Sequence, residues 1–120
     1  MGAASITLPQ KLVMNEYIEE AKELLKKGDL VQTSEELWGA SVPAVKRIAA
    51  GRGLKLERHG EIWSFVSRIS RESGDEEIVV FFGDANALHR NFYENEMDKD
   101  AVEISLRRIE KWIEKLRRIA

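Results

Sequence analysis

Several residue types that mark common classes of protein are absent from this 120-residue sequence or scarce in it. It has no cysteine, which excludes a disulfide framework, a thiolate metal site and a cysteine nucleophile. It has only two histidines, His59 and His89, and we therefore expect no protein-bound transition metal and no cofactor. No apolar run approaches the ~18 residues of a membrane-spanning helix, so no membrane partner is expected.

The beginning of the sequence, MGAASITLPQ, carries no recognisable targeting signal. It lacks the basic start and apolar core of a secretory signal, and Ile6 stands where a myristoylation signal has serine or threonine. We therefore expect a cytoplasmic protein. Because 120 residues with 43% apolar content suit one core, we expect a flexible N-terminus over residues 1–8 and a single helical domain over residues 9–120.

Apolar residues recur at intervals of three and four in five segments, which is the spacing of one face of an α-helix. Gly28 and Asp29 separate the first two segments so closely that these helices must be antiparallel neighbours. The predicted helices cover residues 9–27, 30–50 and 61–72, with a fourth opening at residues 75–77 and a fifth running from residue 99 to the C-terminus. The sequence thus predicts an all-α, up-and-down bundle of five helices.

Two segments of the predicted bundle carry signals that conflict with a regular helix. Pro43 lies inside the predicted second helix and removes one backbone donor, so we expect a kink near residues 39–41. Residues 78–82, IVVFF, have the composition of a strand, but the helical spacing continues downstream and no other segment offers a partner strand. We therefore predict that this run is helical. We expect Trp38, Trp63 and Trp112 to pack in the core rather than to bind a ligand.

The net charge of -2 conceals a basic stretch at residues 46–59. Five positive charges less the one negative charge of Glu57 give it a local charge of +4, which could attract phosphate. The alternative is that these charges only solvate a helix end and a turn. The candidate basic patch consists of Lys46, Arg47, Arg52, Lys55, Arg58 and His59. Charged residues are 33% of the whole chain, a profile typical of thermophile proteins.

The predicted fourth helix contains an unusual polar segment, residues 87–97, ALHRNFYENEM. Asparagine costs ~0.6 kcal/mol relative to alanine in a helix, yet three asparagines fall within ten residues. At helical spacing they form one polar strip with an arginine and a glutamate. The alternative is that Arg90 and Glu94 form an exposed ion pair and that the amides cap a turn near Met97. The candidate binding site consists of Asn86, His89, Arg90, Asn91, Glu94 and Asn95.

Three segments, AKELLKKGDLVQTSEELWGASVPAVKRIAAGRGL, IWSFVSRIS and LHRNFYEN, resemble the archaeal PaREP family, which is grouped with the HEPN superfamily of all-helical domains. The resemblance extends from about Tyr17 to Leu116. Its most specific element is the run from His89 to Glu94, joined with the Gly28-Asp29 turn and the Trp38-Gly39-Ala40 triplet. It implies an archaeal, HEPN-like bundle that forms homodimers. It also implies a possible protein partner of the nucleotidyltransferase type.

The resemblance also bears on catalysis, because many HEPN domains are metal-independent ribonucleases. They place an arginine, a polar residue and a histidine from an R-(four to six)-H motif of each subunit in a cleft between subunits. Arg90 and Asn91 match the first two positions, but Asn95 stands where the histidine is expected. An amide cannot move a proton, so we assign no catalytic residue. The resemblance then implies a non-catalytic, homodimeric binding or scaffold domain for RNA, a nucleotide or another phosphate-bearing partner.

A ribonuclease with an altered site remains the alternative function. It would use Arg90 and Asn91 with His89, although consecutive helix residues point about 100 degrees apart, so we expect His89 to lean towards the core. A second version would use Arg52 and His59, which have six residues between them and fit the loose spacing of the motif.

Overall fold

The computed structural model describes residues 8–119 of the chain, which form five α-helices. These are α1 (Leu8–Lys26), α2 (Leu30–Gly51), α3 (His59–Ser73), α4 (Glu77–Glu94) and α5 (Lys99–Ile119). Within this part of the chain there is no strand, and residues 78–82 lie in α4. The predicted all-α bundle of five helices is confirmed. The flexible segment predicted for residues 1–8 falls on residues 1–7, which lie outside the described residues, and on Leu8, where α1 begins.

Short polar turns set the ends of the helices, as the sequence predicts. Gly28 adopts a φ of 81°, and the Asp29 side chain accepts a hydrogen bond of 3.1 Å from the backbone N–H of Gln32. At the start of α5, the Asp98 carboxylate accepts a bond of 2.8 Å from the N–H of Ala101. These contacts satisfy helix N–H groups that have no partner within the helix.

One apolar core runs through the bundle, with contributions from all five helices. Trp112 is fully buried in it and donates its Nε1–H to the carbonyl of Ile78 over 2.8 Å. Trp38 and Trp63 are only half-buried and pack against the edge of the core. The prediction of core tryptophans is therefore confirmed for Trp112, whereas the other two lie at the border between core and solvent.

α2 occupies the centre of the bundle and contacts each of the other four helices. A Cβ atom added at Gly39 would lie 3.2 Å from a ring carbon of Tyr17, so glycine at this position lets α1 approach closely. α2 continues without interruption through Pro43, and the kink expected near residues 39–41 stays a prediction. None of the helices between residues 8 and 119 combines the length and the apolarity that crossing a bilayer requires.

Candidate functional site

A single hydrogen bond brings the two candidate regions of the sequence together. His59 ends the basic stretch and is the first residue of α3, and Asn86 lies in the middle of α4. Because α3 packs against α4, Nε2 of His59 comes within 2.5 Å of Oδ1 of Asn86. The two residues are 27 positions apart, and each was predicted as part of a different candidate site.

Both histidines of the chain lie against Trp38. The His89 ring stacks on the indole, with ring centroids 4.3 Å apart and planes inclined by 18°. The His59 ring lies 5.9 Å from the same indole at 42°. We refer to Trp38, His59, Asn86 and His89 as the histidine cluster. Tyr93, which is 70% exposed, meets the His89 ring edge-on at 5.4 Å and extends the aromatic surface along α4.

His89 leans inward, as expected from its position on the helix, and its ring is half-buried. Its Nδ1 atom is buried and has no hydrogen-bond partner among the described residues. His59, by contrast, is an exposed residue at the beginning of α3. The two imidazoles therefore differ in their access to solvent, and His59 is the more open of the two.

Asn91 does not belong to the polar strip that was predicted for it. It is fully buried, and its Oδ1 accepts hydrogen bonds from the backbone N–H groups of Glu96 at 2.8 Å and Met97 at 2.7 Å. Its Nδ2 donates to the hydroxyl of Ser34 over 2.9 Å. Asn91 thus closes the C-terminal end of α4 from within, which confirms the alternative that an amide caps the turn near Met97. The prediction of one continuous strip is wrong at this residue.

Arg90 lies on the outer side of α4, and its side chain is 70% exposed. Its Nε is 3.1 Å from a carboxylate oxygen of Glu96, so the ion pair predicted with Glu94 is replaced by one with Glu96. Glu94 and Asn95 are exposed where the helix ends, and Asn95 adopts a left-handed φ of 49°. An exposed ion pair in water contributes little free energy, so the pair with Glu96 leaves Arg90 able to exchange its partner for a phosphate.

The predicted basic patch is divided by the structure. Arg52 lies 2.8 Å from the carboxylate of Glu72 and over the ring of Phe65, and Lys55 pairs with Glu57 at 3.6 Å. Among the described residues, Lys46, Arg47 and Arg58 form no ion pair, and Arg58 directly precedes His59.

Arg52 and His59 do not form the alternative arginine and histidine pair. The partner of Arg52, Glu72, lies thirteen positions along α3 from His59, which corresponds to roughly 20 Å of helix. Arg52 is therefore held towards the far end of α3, and His59 lies instead beside α4.

Two carboxylates away from the histidine cluster are unusual electrostatically. Burial raises the pKa of Glu36, the charges of Glu20 and Glu35 raise it further, and one Glu36 oxygen has no hydrogen-bond partner among residues 8–119. Burial also raises the pKa of Asp84, and Arg108, 3.4 Å away, opposes that shift. In the described part of the chain, no three histidine or carboxylate side chains come together in a way that could hold a metal ion.

The histidine cluster and its neighbours on α4 combine cationic and aromatic side chains. They offer the guanidinium group of Arg90, two imidazoles, the indole of Trp38 and the exposed phenol ring of Tyr93. The sequence predicts Trp38 to lie in the core and assigns His59 to a basic patch separate from α4. No local sequence signal joins His59 to Asn86, because their contact depends on how α3 packs across α4.

Comparison with known protein families gives a match over most of the chain. The model of the archaeal PaREP1/PaREP8 family matches residues 11–113, which is most of the chain. No curated protein and no solved structure matches this chain.

Proposed function

We propose that this chain, which belongs to the archaeal PaREP1/PaREP8 family, is a non-catalytic RNA-binding domain of the HEPN-like kind. Its binding face consists of the histidine cluster together with Arg90 and Tyr93. The observation that carries the proposal is the hydrogen bond between His59 and Asn86, because it brings the end of the basic stretch onto the helix that presents Arg90.

Charge supports a phosphate-bearing ligand at this face. Arg90 follows Asn86 by four positions on α4, which places the two side chains about 6 Å apart along the helix axis. Arg58 is adjacent to His59 in the chain and belongs to the same end of α3. Exposed guanidinium groups bind phosphate oxygens well because their N–H groups match the spacing of two oxygens.

Aromatic surface supports a ligand that also carries bases. Tyr93 is 70% exposed, and the half-buried Trp38 contacts the same His89 ring that Tyr93 meets. Stacking of a base on an aromatic side chain contributes about 1–3 kcal/mol and tolerates different sequences. Single-stranded RNA, whose bases are free to stack, fits a surface that combines such rings with cations.

The arrangement favours binding over cleavage. Among the described residues neither imidazole contacts the Arg90 guanidinium, whose partner is Glu96. One ring nitrogen of His89 is buried without a partner. Cleavage without a metal requires groups that remove and return a proton beside a cation that stabilises the phosphate, and this assembly is not formed here.

We also propose that two copies associate through the outer sides of α4 and α5. Val80 on α4 and Ile104 on α5 are large apolar side chains that remain 51% and 46% exposed, and covering them would be favourable. A two-fold axis at this surface would place both copies of Arg90 on one assembly. The sedimentation mass at micromolar concentration should be that of a dimer and should fall to that of a monomer in Val80→Glu; a wild-type monomer contradicts this part of the proposal.

RNA binding is tested by calorimetric titration with a single-stranded RNA at several salt concentrations. Affinity should fall steeply with salt, because binding to phosphates releases counterions. Arg90→Ala should weaken binding and reduce the slope of log affinity against log salt by about 1. Arg107 provides a matched control, since it is 63% exposed and pairs with Glu103 on α5, so Arg107→Ala should leave binding unchanged. Equal effects of the two substitutions, or no binding, would contradict the proposal.

A ribonuclease remains the second candidate, favoured by the position of His59. It places an imidazole against Asn86, which lies one helical turn before Arg90 on α4, although Asn95 occupies the place of the expected histidine. Incubation of RNA with the protein in the presence of a chelator distinguishes the two functions. Cleavage that is lost in both His59→Ala and Arg90→Ala would establish the ribonuclease; intact RNA supports the binding domain.

A further inference from the structure

We propose that His59 makes this face selective for RNA over DNA by accepting a hydrogen bond from a ribose 2′-hydroxyl. The inference rests on the proposed RNA-binding function and adds a residue that determines specificity within it. It depends on the chain of contacts that runs from His59 through Asn86 to the backbone of α4.

The orientation of the Asn86 amide is fixed by the helix itself. Its Nδ2 group donates a hydrogen bond of 2.7 Å to the carbonyl oxygen of Phe82, one turn earlier in α4. A carbonyl oxygen can only accept, so the amide nitrogen must face Phe82. The other amide atom, Oδ1, must therefore face His59.

The proton position on His59 follows from this orientation. Oδ1 of Asn86 can only accept, so the Nε2 atom that lies 2.5 Å away must carry the hydrogen. In the neutral ring the other nitrogen, Nδ1, then holds a lone pair and is a hydrogen-bond acceptor. His59 is exposed, and among residues 8–119 no hydrogen bond engages its Nδ1.

An acceptor nitrogen on an exposed imidazole distinguishes the two nucleic acids. The 2′-hydroxyl of RNA can donate to it, whereas the deoxyribose of DNA has no donor at that position. Phosphate oxygens have no hydrogen to donate, so neutral His59 contributes selectivity for the sugar rather than affinity for the backbone. Arg58, next to His59 in the chain, and Arg90 on α4 bind the phosphates of both polymers alike.

Filter binding at constant salt tests the inference, with single-stranded RNA, DNA of the same sequence and 2′-O-methyl RNA as probes. At pH 8 the wild-type protein should bind RNA about fivefold more tightly than DNA, the effect of one neutral hydrogen bond. It should bind 2′-O-methyl RNA like DNA, because that polymer lacks the donor.

His59→Phe provides the matched variant, because it keeps an aromatic ring beside Trp38 and has no acceptor nitrogen. It should bind RNA and DNA with equal affinity at pH 8, so that the preference for RNA of about fivefold is lost. A variant that keeps the preference for RNA, or a wild-type protein that binds 2′-O-methyl RNA as tightly as RNA, overturns the inference. If the wild-type protein binds RNA and DNA equally at pH 8, only the selectivity proposed for His59 is refuted. If it binds neither polymer, the proposed function itself is refuted. The 2′-O-methyl comparison uses only the wild-type chain and so remains decisive if the variant fails to fold.

Discussion

Replacing Asn91 with alanine is expected to destabilise the fold without altering the proposed binding face. The side chain is fully buried, and its Oδ1 accepts hydrogen bonds from the backbone N–H groups of Glu96 and Met97. The substitution removes both of these hydrogen bonds. The hydroxyl of Ser34 loses a donor but keeps its own bond of 2.8 Å to the carbonyl of Leu30. The cost therefore arises chiefly from the two N–H groups.

The magnitude follows from those two groups. A buried donor that loses its partner costs about 1–3 kcal/mol. Glu96 is exposed, so water can reach part of this turn, and we expect a total loss of about 2–4 kcal/mol from the free energy of unfolding. For a domain of this size the melting temperature should fall by about 10 °C. Since domains have about 5–15 kcal/mol of stability in total, the variant should still fold.

Urea unfolding followed by circular dichroism measures this loss directly. Asn95→Gly is the matched control, because Asn95 is an exposed amide at the same helix end and glycine accepts its left-handed φ of 49°. We expect the control to change stability much less than Asn91→Ala does. If Asn91→Ala loses no more stability than Asn95→Gly, the reasoning that Asn91 is a buried cap is refuted.

Three further substitutions test other parts of the fold. Because burial raises the pKa of Glu36 in the folded state, its ionisation lowers stability as pH rises through that raised value; Glu36→Gln should raise the melting temperature at pH 7 and have no effect below about pH 4. A gain of the same size at both pH values would contradict this assignment. Trp112→Phe removes the hydrogen bond to Ile78 and leaves a cavity, so denaturant titration should show a loss of about 2–3 kcal/mol, and a loss below about 1 kcal/mol would argue against it. Pro43→Ala restores a backbone donor for the carbonyl of Gly39 and should increase the free energy of unfolding by about 1–3 kcal/mol, whereas an unchanged value would mean that α2 already accommodates the proline without cost.

Local sequence information predicted the helices well because the signals that define them are local. The repeat of apolar residues places five helices, and the short turn at Gly28 and Asp29 ends one helix and caps the next. Even the run at residues 78–82, whose composition suits a strand, is helical, since the periodicity of its surroundings outweighs it. The kink expected near Pro43 stays a prediction, because the bend that a proline causes in a helix depends on how the helix packs.

The candidate site was predicted only in part because its geometry is not local. Helical spacing assigns Arg90 to Glu94, but α4 ends at Glu94, the chain turns at Asn95, and Glu96 returns to Arg90. Asn91 looks like a surface amide in sequence, since only the packed structure shows that it faces inward and binds two N–H groups. The contact from His59 to α4 spans 27 positions and has no sequence signature.

The position of Trp38 gives the protein an optical probe of its own. Indole fluorescence depends on the polarity and mobility of its surroundings, and Trp38 is half-buried between two imidazoles at the proposed binding face. Trp112, sealed in the core, supplies an emission that a ligand at the surface does not reach. A ligand that binds beside His59 should therefore change the emission of Trp38, so binding can be followed without an external dye.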